Sequence, residues 1–226
     1  MAAEILALPS VVEVAAVTGG AISGALHASK RRMDLMGLTL VAVCTGVGGG
    51  AIRDVVLGQS VPVFLIQNFI LMAFVGAVAG YFFGHLVAEL EPAIYVLDTL
   101  LIGAWVVIGA QKALVLDLPY SAAVFLGLTT AIGGGLLRDV LCRNVPTALM
   151  PGQWVAAAAI VAALLYVTVD AATGSIPLAE VTAIVGATAL RALSARFGWI
   201  TPDAVDASSR FRHWLRFNRR APAPRA

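Results

Sequence analysis

Charge is what this sequence has least of. Only 12 % of its 226 residues are Asp, Glu, Lys or Arg, where a soluble globular chain carries about a quarter. With 60 % hydrophobic residues and a mean hydropathy of +0.91, this excludes an ordinary soluble domain. It leaves a membrane protein with little mass outside the bilayer, organised as one bundle. Cysteine is also scarce: Cys44 and Cys142 have no metal-ligand spacing and make no disulfide framework, so they read as small buried hydrophobes. No nucleophile–base–orienter set and no metal motif appear, so neither an enzyme nor a bound cofactor is expected. No nucleic-acid partner is expected either. There is no Lys or Arg before Lys30, while Glu4 and Glu13 are present. The positive start of a signal peptide is therefore missing, and the N-terminus reads as part of the mature chain.

Long apolar runs are abundant. Seven segments, at 9–28, 35–57, 64–86, 93–114, 120–142, 152–170 and 177–197, approach or exceed the roughly 20 residues a membrane-crossing helix needs. Pro62, Pro92, Pro119, Pro151 and Pro177 each stand near the start of a segment, where proline is tolerated. Helices are the default, because open sheet edges leave backbone groups unsatisfied in hydrocarbon. The fold class is thus all-α, with a transmembrane domain over 1–200 and a basic tail over 201–226.

Orientation follows the basic residues of the loops. Lys30, Arg31 and Arg32 lie in the first loop, Arg143 in the fifth, and Arg210, Arg212, Arg216, Arg219, Arg220 and Arg225 in the tail. Seven crossings put all of these on one side, which the positive-inside rule makes cytoplasmic, with the N-terminus outside. A bacterial or archaeal plasma (inner) membrane is the expected location. Phe211, Trp214 and Leu215 have helical spacing, so the tail reads either as an amphipathic helix on the inner leaflet or as a disordered basic tail.

The chain repeats itself at an offset of 85 residues. Gly48, Gly49, Gly50, Arg53, Asp54 and Val55 fall on Gly133, Gly134, Gly135, Arg138, Asp139 and Val140. After a one-residue gap Val61 and Pro62 fall on Val145 and Pro146; upstream, Glu13 meets Asp98, Gly24 meets Gly109 and His27 meets Lys112. Repeat one covers about 9–86 and repeat two about 93–170. Each holds three spans, an odd number, so the second copy enters from the opposite face. In transporters such an inverted repeat places the functional site near the midplane between its halves. The seventh helix, 177–197, is left for packing or subunit contact.

Each glycine triplet admits two readings. Glycine costs up to about 1 kcal/mol against alanine in a helix interior, so three in a row predict a kink or an unwound turn whose carbonyls face a wet cavity. Alternatively, the glycines let two helices approach closely. Arg53, Lys112 and Arg138 read as the basic residues well inside apolar spans. An arginine there either snorkels to the headgroups or faces a polar crevice, holding a carboxylate or a lipid phosphate. Adjacent residues do not face each other on a helix, so the expected partner of each arginine is the aspartate of the other half or of another subunit. Lys112 is either an interfacial lysine or a guard at a pore mouth. Glu13 and Asp98, at matched positions, suggest helix anchoring or ion attraction. His27 and His85 read as interfacial. The run Gly46–Ala51 fits the dinucleotide pattern G-x-G-x-x-A, but it lacks the required strand and βαβ unit.

Two copies of G-G-G-x-x-R-D-V followed by V-P, within spans arranged three, three and one, resemble the prokaryotic trimeric intracellular cation (TRIC) channels, a domain that also carries a glycine-transporter name. The resemblance covers about 9–197. It implies a homotrimer with one pore per subunit that conducts monovalent cations, chiefly potassium (K+ or Na+ as permeant ions). It further implies an hourglass pore lined by the first, second, fourth and fifth helices and kinked at Gly48–Gly50 and Gly133–Gly135. The basic lipid-linked motif of animal members is absent, so phosphoinositide control does not carry over. Glu13 replaces an aspartate usual in bacterial relatives. Membrane lipids, including a bound one, are the other expected partner. Two further readings stand beside the channel: a carrier for a small solute such as glycine, and a lipid-binding membrane protein without transport. A bulky residue at Gly49 or Gly134 is expected to alter conductance with the fold intact.

Overall fold

A computed structural model describes residues 10–59, 69–89, 91–150 and 154–200. They form seven α-helices: α1 (Ser10–Lys30), α2 (Leu35–Val56), α3 (Phe69–Glu89), α4 (Glu91–Val115), α5 (Tyr120–Leu141), α6 (Val155–Thr173) and α7 (Ile176–Phe197). A 3-10 turn at Thr147–Leu149, which hydropathy does not signal, follows α5. Helix bounds fall within a few residues of the apolar segments, except that 64–68 lie outside the described residues. So do Val61, Pro62, Pro151 and the tail with Phe211, Trp214 and Leu215. The side chains of His85 and Asp98 are also outside the described ones, although α3 and α4 run through them.

Local chemistry accounts for the helix ends. Asp34 caps α2 by accepting the Gly37 N–H at 2.8 Å. Pro119 occupies the N-cap position of α5 without a side-chain cap, and a proline stands in the first turn of α7. The ends also repeat at the 85-residue offset. Met33 N–H donates to Ala28 O and Leu118 N–H to Ala113 O; Gln59 N–H donates to Asp54 O and Asn144 N–H to Asp139 O. These closing bonds place Arg32 and Asp117, at φ 56° and 55°, in the left-handed region, as they do Gly58 and Arg143, at 64° and 56°.

Two small-residue cores result. Ala21, Ala25 and Ala28 of α1 pack against Val41 and Ala42 of α2 and Ala73 and Ala77 of α3. Val106, Val107 and Ala110 of α4 meet Ala123 and Leu126 of α5, Ala159 and Ala163 of α6, and Ala183 and Ala187 of α7. Alanine-lined contacts suit helices in lipid, where close backbone approach replaces a hydrophobic driving force. Large side chains such as Leu71, Phe74 and Val75 of α3 point outward instead. The two cores join where α2 crosses α5.

Among the described residues, four helices, α2, α5, α6 and α7, are long and apolar enough to cross a membrane; Phe69–Phe82 and Thr99–Val115 form shorter apolar stretches. α1 carries Glu13, Thr18, Ser23 and His27 among its apolar residues. One correction concerns α7. Arg191 is only 3 % exposed, a fourth basic residue inside an apolar span.

Candidate functional site: the α2–α5 crossing and its charged ends

The glycine triplets meet each other. A Cβ added to Gly49 would run into the carbonyl oxygen of Thr130, and one added to Gly134 into that of Thr45. A Cβ at Gly48 would lie 2.6 Å from Leu137 Cδ1, and one at Gly133 would lie 3.0 Å from Ile52 Cδ1. Residue 45 meets 134 while 49 meets 130, so the two helices cross antiparallel. The third glycine of each triplet turns away: a Cβ on Gly50 or Gly135 would find only Arg53 Nη2 at 3.7 Å or Arg138 Nη2 at 4.0 Å. The flanks match as well. Gly24 faces Thr45, Gly109 faces Thr130, and both threonine hydroxyls donate back to carbonyls (Val41 and Leu126) at 2.6 Å.

The unwound turn that the triplets suggest is not there. Both helices run unbroken through their glycines. In apolar surroundings a lost backbone hydrogen bond costs several kcal/mol, more than the propensity penalty of a glycine, about 1 kcal/mol. The ladder is kept, and the missing side chains allow close approach.

At one end of the crossing stands a buried charge cluster. Arg53 Nε donates to Asp54 Oδ1 at 2.9 Å and Lys112 Nζ to the same oxygen at 2.7 Å. Their side chains are 6 %, 1 % and 12 % exposed for Arg53, Asp54 and Lys112. Lys112 is therefore not an ordinary interfacial lysine. Beside the cluster is a cavity of about 20 Å³, room for a water molecule, lined by Glu13, Gly50, Arg53, Asp54, Phe69 and Trp105 among others. Neither snorkelling nor a lipid-facing arginine describes Arg53.

The other end repeats the plan with different neighbours. Arg138 Nε donates to Asp139 Oδ1 at 2.8 Å and Nη1 to Ser23 Oγ at 3.1 Å. Asp139 Oδ2 accepts the backbone N–H of Thr147 at 2.8 Å and its hydroxyl at 3.0 Å, so the unforeseen 3-10 turn serves the motif. His27 Nδ1–H donates at 2.8 Å to the carbonyl of Ser23, one turn back in α1, the residue whose hydroxyl accepts from Arg138. Arg31 donates to Asn144, tying the first loop to the segment after α5.

The expected pairing is thus corrected: each arginine holds the aspartate next to it. Both residues lie in the last turn of their helix, where no following turn blocks a long side chain from folding back onto its neighbour. Contact between the halves runs instead through Lys112 to Asp54 and through Arg138 to Ser23. Two features had no motif to announce them. Gln111, next to Lys112, is buried with no partner for either side-chain amide atom among the described residues, and Glu180 of α7 is buried with none for Oε1.

A family profile described as Glycine transporter matches residues 10–85 and 95–171, two stretches that start 85 residues apart. A UPF0126 inner membrane protein of Escherichia coli K12 is 35 % identical over 161 residues, 70 % of this chain and 76 % of its own. A UPF0126 membrane protein of Deinococcus radiodurans is 34 % identical over 136 residues, 60 % of this chain; the match spans 63 % of the relative's length. Among solved structures, one described as a TRIC cation channel superposes with a TM-score of 0.80 at 27 % identity, covering 86 % of this chain and 96 % of that one. A TRIC trimeric intracellular cation channel orthologue from Rhodobacter sphaeroides gives 0.77 at 30 % identity, covering 84 % and 98 %.

Proposed function

Since the chain belongs to the glycine-transporter family of membrane proteins, we propose that it is a cation channel: a homotrimer in the inner membrane, with one potassium-permeable path per subunit. The observation that carries this reading is the match over nearly the whole fold to TRIC cation channels, at a TM-score of 0.80. The repeats at 9–86 and 93–170 are inverted copies, a reading supported by the antiparallel α2–α5 crossing and by the paired helix ends. The narrow part of the path lies beside Gly48–Gly50 and Gly133–Gly135, with Gly50 and Gly135 on the open side of the crossing and the arginines at its two ends. Glu13 and Asp98 attract cations at opposite mouths. Lys112 guards one of them: its ammonium, held by Asp54, repels cations until displaced. The basic first loop and Arg143 share a face, because Arg31 bonds Asn144. We take that face as cytoplasmic, with the C-terminus on it and the N-terminus outside.

The family description itself favours a second reading, a glycine carrier on the same fold. Proteoliposomes loaded with potassium separate the two. The channel reading expects potassium efflux through the purified protein to be fast and insensitive to glycine. Saturable uptake of labelled glycine without potassium flux would favour the carrier.

A further inference from the structure

Each end of the α2–α5 crossing holds an Arg–Asp pair and one more basic side chain from a helix of the other half. At one end that side chain is Lys112, and at the matched position, 85 residues earlier, it is His27. Lysine is charged throughout the physiological range, whereas histidine changes charge within it. At this matched position the two ends therefore differ: one has a lysine held by its aspartate, the other an imidazole that can change charge.

The contacts around His27 show what a proton would do. Its Nδ1–H is used by the carbonyl of Ser23 at 2.8 Å, which leaves Nε2 as the basic nitrogen. The hydroxyl of the same Ser23 accepts from Arg138 Nη1 at 3.1 Å, and Arg138 holds Asp139 through Nε at 2.8 Å. The charged groups described around the imidazole are Arg138 and Asp139 of α5 and Lys30 of α1. Between its cap and Arg53, α2 carries Cys44 as its only titratable side chain. On α3, His85 lies at the same end of the bundle in sequence, its side chain outside the described ones.

We propose that the Arg138 end of the crossing is a proton-binding site, with His27 Nε2 as acceptor, and that a proton taken from the aqueous phase on that side restricts cation flow. The effect on flow rests on the channel reading; the proton site does not. Once protonated, His27 stands beside Arg138 as a second cation. The two repel each other and compete for Asp139, which loosens the hold of Arg138 on Ser23. The imidazolium also gains an Nε2–H donor, giving this end, while protonated, a cationic partner for its aspartate of the kind Lys112 supplies to Asp54.

The test uses the full chain with the other histidines replaced, His85→Gln and His213→Gln, so that one imidazole remains. Its NMR signals, in detergent or nanodiscs, are followed from about pH 8 to about pH 5 and are expected to show the ring taking up a proton. In planar bilayers, acidifying the Arg138 side alone through that range is expected to reduce current by about twofold or more. His27→Gln holds the high-pH current at every pH, and His27→Lys holds the low-pH current. An imidazole that stays neutral down to pH 5, or a His27→Gln channel with the wild-type pH response, overturns the proposal. An imidazole that titrates in a protein without current supports the proton site and counts against the channel reading instead.

Discussion

Gly49→Ala and Gly134→Ala destabilise the protein, while Gly50→Ala and Gly135→Ala leave its stability unchanged or raise it. The sign change within one triplet follows from what a single methyl group meets. At Gly49 and Gly134 it meets the backbone carbonyl of the opposite helix, which cannot rotate away as a side chain can. The helices must separate, at the cost of overpacking, about 1–3 kcal/mol. At Gly50 and Gly135 the nearest atom is the tip of an arginine, at 3.7 and 4.0 Å. Alanine then adds its helix propensity, up to about 1 kcal/mol. Thermal unfolding in detergent reads the difference. Equal shifts for all four variants would sink the crossing as described. The same contact revises the expectation that a bulky residue at Gly49 or Gly134 alters conductance with the fold intact. The substitutions that probe conduction without disturbing the crossing are at Gly50 and Gly135.

Asp54→Asn has the second large effect. Asp54 is the anion between Arg53 and Lys112, with its side chain 1 % exposed. Removing its charge leaves two buried cations facing each other, a loss of about 3–5 kcal/mol by comparison with other broken buried pairs. Lys112→Gln is milder, because Asp54 keeps Arg53. The double variant Asp54→Asn/Lys112→Gln recovers part of the loss, since one of the two unpaired cations is gone. A double-mutant cycle on unfolding midpoints gives the coupling directly. If the double variant is as unstable as the sum of the singles, Lys112 and Asp54 are not partners.

Much of this architecture is legible in the sequence, for identifiable reasons. Apolar run length and proline placement locate the helices because both reflect one-dimensional constraints, the bilayer thickness and the missing N–H of proline. The 85-residue offset predicts which residues correspond, and the correspondence holds down to the back-bonds of Thr45 and Thr130. What the sequence hides is direction within a turn. Helix geometry in mid-span argues against Arg53 pairing with Asp54, but both lie in the last turn, where the rule relaxes. The triplets signal broken helices on propensity alone. Propensity cannot weigh the cost of a lost hydrogen bond in a buried crossing, so close approach wins. Thr147, Ser23 and Gln111 carry no motif; they matter only because folding brings them to the charged residues or buries them.

The proposed cation path in each chain runs past the α2–α5 crossing between its two charged ends. Single-channel recording of the purified protein in planar bilayers under a KCl gradient tests it most directly. Discrete current steps that reverse near the potassium equilibrium potential are expected. An absence of unitary currents from protein that takes up glycine saturably in liposomes would contradict it.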